Sequence, residues 1–248
     1  MAHNISSNKY LMNQNKHIRV LGLTLARGGS KSVPKKNIRN IAGKPLISYT
    51  ISEALKSKFL TRYIVSTDDK EIQQIAIQCG AEAPFLRPSK LSTDKSSSVS
   101  AMQHAVEWAE SQEGIKYDFV VELMCTNPLK TYKDIDASIE KLILTKADSV
   151  IAVHKLEDHH PARIKKIVND KIVDFCVPEI LESRRQDLKP QAFIRSGSIY
   201  ALKRDFLMIS GKRYGSDNSR PYILSNKRAI NIDTEIDFTI AESMLEKS

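Results

Sequence analysis

The sequence has few cysteines and no long apolar run. Its three cysteines, Cys79, Cys125 and Cys176, are odd in number and widely spaced. This favours reduced thiols in a cytosol over a disulfide framework or a zinc site. No apolar run approaches the roughly 20 residues of a membrane span. Residues 1–17 are polar and lack the apolar segment of a signal peptide, so we expect a disordered tail there and a cytoplasmic protein with no membrane partner.

Acidic residues are missing from one strongly basic stretch, residues 27–44. That stretch holds six cations: Arg27, Lys31, Lys35, Lys36, Arg39 and Lys44. The whole chain carries a net charge of +9, so the stretch accounts for most of the surplus. A surface that binds duplex nucleic acid normally spreads its cations over many phosphates. The concentrated charge favours one small polyanion instead, and we expect no nucleic-acid partner.

Strand and helix patterns alternate along most of the chain. Apolar, β-branched segments predict strands at 18–26, 62–69, 117–125, 147–156 and 228–232. Amphipathic segments predict helices at 45–58, 70–80, 96–111, 132–145 and 234–247. This alternation is typical of βαβ units, and the largely apolar strands fit a sheet that is covered on both faces. The expected fold class is α/β, with a mostly parallel, mixed central sheet and helices on both faces.

The alternation is interrupted once, between residues 155 and 196. The stretches of apolar residues in that segment are short, and the segment is charged and less periodic, which indicates an insertion. The α/β domain is therefore expected to comprise residues 18–154 and 197–248.

Ligands of open α/β sheets bind at the carboxyl ends of the strands. The segments expected at this edge are polar or charged, and several contain glycine or proline: 27–44, 66–69, 87–98, 125–130 and 231–234. The binding site is expected among them.

Two common phosphate-binding motifs are absent. The P-loop pattern G-x-x-x-x-G-K-[ST] fails because Gly43 and Lys44 are followed by Pro45. The dinucleotide pattern G-x-G-x-x-G fails because Gly28 and Gly29 are adjacent. What remains is a strand, a glycine-rich turn and closely placed cations, which can wrap a triphosphate. A solvated basic loop is the structural alternative.

The segment ARGGSKSVPKKNIRNIAGKPLISYTI, residues 26–51, resembles the signature of the CMP-N-acylneuraminate synthetases, also called acylneuraminate cytidylyltransferases, which activate sialic acids and related nonulosonic acids. The family pattern is A-R-x-x-S-K-x-x-P-x-K-N followed by G-x-P-L. Further blocks match in family order: IVSTDD, LRPSKLSTDKSSSVSAMQHAV, NPLKT, HHPAR, RRQDLKPQAF, GSIY and IDTEIDF. The resemblance implies a Rossmann-like nucleotidyltransferase that joins CMP from CTP to the anomeric hydroxyl of a 2-keto sugar acid and releases pyrophosphate.

The resemblance also implies the nucleotide ligands: Leu25, Ala26, Arg27, Lys31, Asn37, Arg87 and Ser98. Arg27 and Lys31 would contact the phosphates, as would Lys36, while Arg87 and Ser98 would lie near the cytosine and ribose. The structural alternatives are a surface arginine for Arg87 and a helix N-cap for Ser98. Because charge moves onto pyrophosphate as it leaves, preorganised cations stabilise the transition state. Arg27 and Lys36 are therefore predicted to be catalytic.

The reaction is expected to need Mg²⁺ (or Mn²⁺), which neutralises the triphosphate. The family has an Asp-x-Asp pattern near its last strand, and this chain has Asn231 and Asp233 at those positions. Both are predicted metal ligands, and Asp233 is also predicted to be catalytic. Asp237, three residues after Thr234, is more simply a capping-box partner.

The resemblance places two arginines at the acceptor sugar acid. Arg163 and Arg185 match family positions associated with the carboxylate, which a planar guanidinium can bind through two hydrogen bonds. The family's insertion also forms a homodimer and reaches into the partner's site, so residues 155–196 are expected to serve dimerisation and acceptor binding. His159 and His160 are adjacent and have no other metal-ligand cluster near them in sequence, so we interpret them as structural.

Further acceptor contacts are expected from Met124, Thr126, Asn127 and Ser196. Met124 stands where sialic-acid relatives have a glutamine, and Ser196 stands where they have an asparagine. The loss of these amides indicates that different sugar substituents are recognised. We therefore expect a diacetamido-trideoxy acid of the legionaminic or pseudaminic kind ahead of sialic acid.

Three alternatives remain. A CMP-Kdo-type synthetase would keep the fold, but the N-V-Q-G-D-E stretch expected in such a relative is absent. An inactive nucleotide-binding relative is compatible with Asn231. A nucleic-acid-binding protein would rest on the net charge alone, and a steep salt dependence of DNA affinity would identify it.

Overall fold

The computed structural model describes residues 18–30 and 32–247. The tail predicted for residues 1–17 and the predicted phosphate ligand Lys31 lie outside the described residues. Within these ranges, no helix has the length and apolar character needed to cross a membrane.

A mixed six-stranded sheet forms the centre of the fold. The strands of the described chain are β1 (Val20–Leu25), β2 (Asn40–Ile41), β3 (Lys44–Pro45), β4 (Arg62–Ser66), β5 (Phe119–Leu123), β6 (Ser149–Lys155), β7 (Lys165–Val168), β8 (Lys171–Asp174), β9 (Phe193–Lys203) and β10 (Ser219–Ile223). The central sheet has the order β10-β6-β9-β5-β1-β4. β1 is parallel to β4 and β5, and β10 is parallel to β6. Only β9 runs antiparallel to its neighbours β5 and β6, which confirms the predicted mixed, mostly parallel sheet.

Helices cover both faces of this sheet. They are α1 (Leu46–Leu55), α2 (Lys70–Gln78), α3 (Ser98–Glu113), α4 (Tyr132–Thr145), α5 (Arg204–Met208) and α6 (Glu235–Leu245). Successive side chains of a strand point to opposite faces. Accordingly, Val121 of β5 packs in a core cluster with side chains of α1, α2 and α4. Its neighbour Val120 packs in a second cluster with side chains of α3 and α5. The predicted two-sided α/β fold is confirmed.

One predicted strand, residues 228–232, is wrong. The described chain has a short 3-10 helix at Asn226–Arg228 and no strand after it in that range. The Ile232 N–H donates to the carbonyl of Thr126 at 2.8 Å. The Ile232 carbonyl accepts from Lys36 Nζ at 2.7 Å. The polar backbone groups of this segment are therefore satisfied by a loop and a side chain rather than by a neighbouring strand.

Strand β10 is absent from the sequence-based prediction. It contains Pro221, which has no backbone N–H and weakens the strand pattern. Proline is tolerated here because β10 is an edge strand that pairs only with β6.

The predicted insertion, residues 155–196, contains the hairpin β7–β8 and two short 3-10 helices, Pro161–Arg163 and Arg185–Asp187. The hairpin is separate from the central sheet. Strand β9 begins at Phe193, which pairs with Lys155 at the end of β6. The segment therefore leaves and re-enters the domain through two neighbouring strands of the central sheet.

Candidate active site

A pocket of about 610 Å³ opens at the carboxyl ends of β1 and β5. Four of the five segments expected at this edge contribute to its lining, and residues 66–69 do not. The predicted site residues that it brings together are Leu25, Arg27, Lys36, Asn37, Arg87, Ser98, Met124, Thr126, Asn231 and Asp233. Segments that follow the predicted strands and residues implied by the resemblance therefore meet at this pocket.

Asn37 holds the start of the strongly basic stretch, residues 27–44, which we call the basic loop. It lies in a short 3-10 helix, Lys36–Ile38, and is buried. Its Nδ2 donates to the carbonyl of Arg27 at 2.9 Å. Its Oδ1 accepts from the thiol of Cys125 at 3.0 Å. Asn37 therefore joins the loop after β1 to the loop after β5, and holds the backbone at Arg27 in place.

Lys36 links the basic loop to the segment before α6. Its Nζ donates to the carbonyl of Ile232 at 2.7 Å and lies 3.3 Å from Asp233 Oδ1. The Lys36 side chain is 11% exposed, whereas that of Asp233 is 67% exposed. This places a largely buried cation beside an accessible carboxylate at the pocket wall.

Arg27 is more accessible than Lys36. Its Nη1 donates to Asp94 Oδ1 at 2.8 Å, and both side chains are partly exposed. An exposed ion pair of this kind contributes roughly 0–1 kcal/mol to stability. Arg27 is consequently available to exchange this carboxylate for a more highly charged ligand.

Arg87 is a buried support of the pocket wall. It is 5% exposed, and its Nη1 donates to the carbonyl of Ser66 at 3.1 Å. Its Nε donates to Ser92 Oγ at 2.9 Å, and its Nη2 lies 3.7 Å from Asp68. Burial lowers the pKa of the Arg87 guanidinium, and the Asp68 carboxylate opposes this effect. The surface-arginine alternative for Arg87 is therefore wrong.

Helix α3 begins at the pocket. Its N-cap is Ser97, whose Oγ accepts from the Ser100 N–H at 3.1 Å. Ser98 is the first helical residue and lines the pocket. The alternative that Ser98 is the helix N-cap is therefore wrong by one residue, since Ser97 has that position. The free N–H groups of a helix N-terminus favour anionic or hydrogen-bond-accepting ligands.

The loop after β5 is held by Lys130, which sequence reasoning missed. Lys130 is 1% exposed, and its Nζ donates to Thr50 Oγ1 at 2.6 Å and to the carbonyls of Met124 and Asn127, both at 2.7 Å. Burial lowers the pKa of this lysine to about 7. Its three N–H donors match three neutral acceptors, so Lys130 sets the shape of residues 124–127. The only signal in the sequence was its place in the NPLKT block.

Besides the two acceptor arginines described below, three predicted ligands among the described residues do not line the pocket. Ala26 is buried in the core. Asn127 is fully buried, and its Nδ2 donates to the carbonyl of Arg228 at 3.1 Å. Ser196 is 1% exposed, and its Oγ donates to the carbonyl of Ala152 at 3.0 Å. The side chains of Asn127 and Ser196 hold neighbouring backbone in the observed conformation.

Asn231 and Asp233 offer two oxygen donors for a hard cation. Asn231 Nδ2 donates to Asp233 Oδ2 at 2.5 Å. Its Oδ1 is buried and has no partner among the described residues. No group of three or more His, Cys, Asp or Glu residues in the described chain could hold a metal. Two protein oxygens nevertheless fit Mg²⁺, which keeps several waters and is often completed by substrate phosphates.

Gly197 supports this pair, and sequence reasoning missed it as well. A Cβ at position 197 would lie 3.2 Å from Asn231 Oδ1. The φ of +61° at Gly197 also disfavours any other residue. Its place in the GSIY block was the available signal. Nearby, Asp237 Oδ2 accepts from the N–H and Oγ1 of Thr234, at 2.8 and 2.9 Å, which confirms the predicted capping box.

The two acceptor arginines lie away from this pocket. Arg185 Nη1 donates to Asp158 at 2.7 Å and lines a separate pocket of about 210 Å³. Arg163 Nη2 donates to the carbonyl of Ser183 at 2.7 Å. His160 also lines the smaller pocket, and its Nδ1 accepts from the Ala162 N–H at 3.2 Å. The structural interpretation of His160 is confirmed because it caps the short helix Pro161–Arg163.

Glu122 is a pocket-lining carboxylate that sequence reasoning did not single out. It is 2% exposed, and Arg213 Nη1 donates a short hydrogen bond to its Oε2. Burial raises the pKa of the Glu122 carboxyl, and the guanidinium of Arg213 opposes this effect. Glu122 could not be singled out from the sequence, because it is one carboxylate in an otherwise apolar strand and its partner lies 91 residues away.

Comparison with known proteins identifies the family. Residues 21–208 match the family described as cytidylyltransferase. Pseudaminic acid cytidylyltransferase of Campylobacter jejuni subsp. jejuni serotype O:23/36 (strain 81-176) is 34% identical over 224 residues, covering 88% of this chain and 92% of the relative. CMP-N,N'-diacetyllegionaminic acid synthase of Legionella pneumophila subsp. pneumophila (strain Philadelphia 1) is 32% identical over 231 residues, covering 92% of this chain and 97% of the relative.

A solved structure shows the same fold. The CMP:2-keto-3-deoxy-manno-octonic acid synthetase complexed with CTP superposes with a TM-score of 0.68 at 18% identity, covering 92% of this chain and 99% of that chain. At this identity the likeness concerns the fold alone. The family match and the two relatives carry the assignment: the chain is a nucleotidyltransferase and belongs to the cytidylyltransferase family, in the group of the acylneuraminate cytidylyltransferases.

Proposed function

We propose that this protein transfers CMP from CTP to the anomeric hydroxyl of a nonulosonic acid of the legionaminic or pseudaminic kind, ahead of sialic acid. The relatives named for these two sugars are 34% and 32% identical to the chain. The observation that carries the proposal is the single pocket in which Arg27 and Lys36 meet the oxygen donors Asn231 and Asp233. Cations that can bind a triphosphate and oxygen atoms that can bind a hard metal ion would then surround the same CTP molecule.

The cations of the basic loop act on the phosphates. The sugar hydroxyl oxygen attacks the α-phosphorus, a new O–P bond forms, and the bond from that phosphorus to the pyrophosphate oxygen breaks. The hydroxyl proton is released. Lys36 is held in place by Ile232 and Asp233, and Arg27 joins it by exchanging Asp94 for the phosphates. Both cations then stabilise the negative charge that moves onto the leaving group. Asn37 keeps Arg27 in position through the 2.9 Å hydrogen bond to its carbonyl.

Asp233 and Asn231 would hold the divalent cation, Mg²⁺ or Mn²⁺. When bound, this cation would neutralise phosphate charge and help to align the reacting oxygens. The buried, unpartnered Oδ1 of Asn231 supports this role because such an atom otherwise loses a hydrogen bond without compensation. An asparagine contributes no charge, so we expect weaker metal binding than an Asp-x-Asp pair would give.

A second copy of the chain completes the acceptor site. The insertion exposes several large apolar side chains: Ile164, Ile167, Val168, Ile172, Phe175, Ile180 and Leu181. Exposed apolar surface of this kind marks an interaction site. If the insertion pairs two protomers, Arg163 and Arg185 can bind the sugar carboxylate in the neighbouring pocket, since neither lines the pocket of its own chain.

The test is release of pyrophosphate from CTP with a panel of sugar acids, with and without Mg²⁺. We expect metal-dependent release with at least one nonulosonic acid and none with Kdo. Release with Kdo alone would favour the CMP-Kdo-type alternative. Absence of release with every acid and metal, together with CTP binding, would instead identify an inactive nucleotide-binding relative.

A further inference from the structure

Glu122 borders the pocket but has no part in the mechanism described above. Arg213 satisfies one of its carboxylate oxygens, Oε2. Among the described residues, none donates a hydrogen bond to the other oxygen, Oε1. Burying a carboxylate is costly unless it is both paired and hydrogen-bonded. Oε1 is not among the buried side-chain atoms of the described residues that lack a partner, so it reaches the pocket, where a ligand can donate a hydrogen bond to it.

Arg213 keeps this carboxylate in a fixed orientation. The guanidinium carbon of Arg213 lies 4.6 Å from the centre of the Tyr200 ring, which adds a cation–π contact. Tyr200 of β9 pairs directly with Glu122 of β5. A planar guanidinium that is stacked on a ring and bonded to a carboxylate has few other positions. Glu122 is consequently a preorganised acceptor rather than a side chain that turns towards solvent.

The Glu122–Arg213 pair lies towards the acceptor end of the pocket. The predicted nucleotide ligands belong to loops that follow β1 and β4, at one end of the strand order. Glu122 lies on β5, and Arg213 stacks on Tyr200 of β9; both strands lie on the other side of β1. Met124 follows Glu122 by two residues and packs against the same core cluster as Val120, so both face the same side of the sheet. Both line the pocket.

We propose that Glu122 accepts a hydrogen bond from the N–H of an acylamino group on the sugar acid, while Met124 contacts the apolar acyl group. This inference rests on the proposed function and makes Glu122 a specificity-determining residue. A carboxylate and a thioether side by side match a substituent with one N–H donor and one apolar end. A site built to bond an N–H rejects an analogue that lacks it, because its own buried acceptor is then left unpaired.

The experiment compares two acceptors that differ only at this amide nitrogen, which carries a hydrogen in one and a methyl group in the other. One is the acylamino sugar acid that the wild-type protein uses fastest, and the other is its N-methyl analogue, whose amide nitrogen carries no hydrogen. For the wild type we expect kcat/KM for the N–H acceptor to exceed that for the analogue by about 100-fold. For Glu122→Ala, which removes the acceptor and makes room for the methyl group, we expect a ratio within about threefold of unity. The KM for CTP should stay unchanged.

Two further variants keep the test decisive. Glu122→Gln keeps the shape but loses the charge, and because charge-assisted hydrogen bonds are about twice as strong as neutral ones, the ratio should fall by about tenfold. Glu110→Gln is the matched control, since Glu110 pairs with Arg204 at 2.8 Å, with both side chains largely buried and outside the pocket. It should lower the melting temperature without changing the ratio.

The outcomes separate this inference from the proposed function. If none of the sugar acids tested makes the wild type release pyrophosphate, the proposed function is wrong. If it turns over the acylamino acid and both Glu122 variants keep the wild-type ratio, only this inference is overturned, and the pair is a structural tie like Glu110–Arg204. Should Glu122→Ala fail to fold, the ratio of Glu122→Gln alone decides.

Discussion

Replacing Lys36 by alanine tests the electrostatic role of the basic loop. Lys36 Nζ lies 3.3 Å from Asp233 and donates to the carbonyl of Ile232 at 2.7 Å, so it is largely buried at the site where we place the phosphates. Loss of one preorganised transition-state donor lowers kcat by about 100- to 1,000-fold, equivalent to roughly 3–4 kcal/mol. We expect a fall of at least about 100-fold in the rate of pyrophosphate release from CTP at saturating substrates.

The neighbouring residue provides the control. Lys35 is an adjacent lysine with the same charge, but it pairs with Glu71 at 2.6 Å and is well exposed. Lys35→Ala should keep kcat within about twofold because an exposed ion pair contributes little. The Lys36→Ala variant should remain folded by circular dichroism and keep its CTP-induced rise in melting temperature in part. Equal kcat values for the two variants would show that the basic loop is only a charged surface.

Three more predictions concern the metal ligand, the buried lysine and the partner subunit. Asp233→Ala should nearly abolish activity at moderate Mg²⁺, whereas Asp237→Ala should chiefly lower the free energy of unfolding by about 1 kcal/mol as a lost cap; the reverse ranking would mean that the cap and the ligand are confused. For Lys130, the folded-state pKa of about 7 lies below the unfolded value of 10.5. The unfolded chain therefore binds more protons between these pH values, and wild-type stability should rise with pH there relative to Lys130→Met, by at most about 5 kcal/mol; parallel stability curves from denaturant titrations would contradict this. Arg185→Ala and Arg27→Ala should each be nearly inactive, and mixed subunits should recover up to about half of the wild-type activity per heterodimer; no recovery after confirmed subunit exchange would show that Arg185 does not act in trans.

The fold, and the edge of the sheet where the candidate pocket lies, could be predicted from the sequence because both follow from local patterns. Apolar strands that alternate with amphipathic helices specify a covered sheet, and the polar segments after the strands specify its ligand edge. Besides the missed edge strand β10, the exception is the range 228–232, where two isoleucines alternate as in a strand. These isoleucines alternate because their side chains pack against the domain, but the backbone of this range bonds to Thr126 and Lys36 and not to a strand.

The contacts inside the site could not be predicted, because they join residues far apart in sequence. Nothing in the sequence around Lys130 indicates burial, yet its side chain is buried and donates to Thr50, 80 residues away. Glu122 reads as a break in an apolar strand, and only the fold brings Arg213 to it. The resemblance predicted Ser196 and Asn127 as ligands. Their side chains instead donate hydrogen bonds to backbone carbonyls nearby.

Hydrogen bonds between three loops that come from different parts of the chain hold the site together. Asn37 joins the loop after β1 to Cys125 in the loop after β5. The N–H of Ile232 donates to Thr126, and its carbonyl accepts from Lys36, so the segment before α6 is tied to both other loops. Catalysis by fixed charges depends on such ties because donors that are already oriented need no reorganisation as charge develops. The positions of Arg27, Lys36 and Asp233 are therefore a property of the three loops together, and a substitution that loosens any one loop should lower kcat even where it touches no substrate.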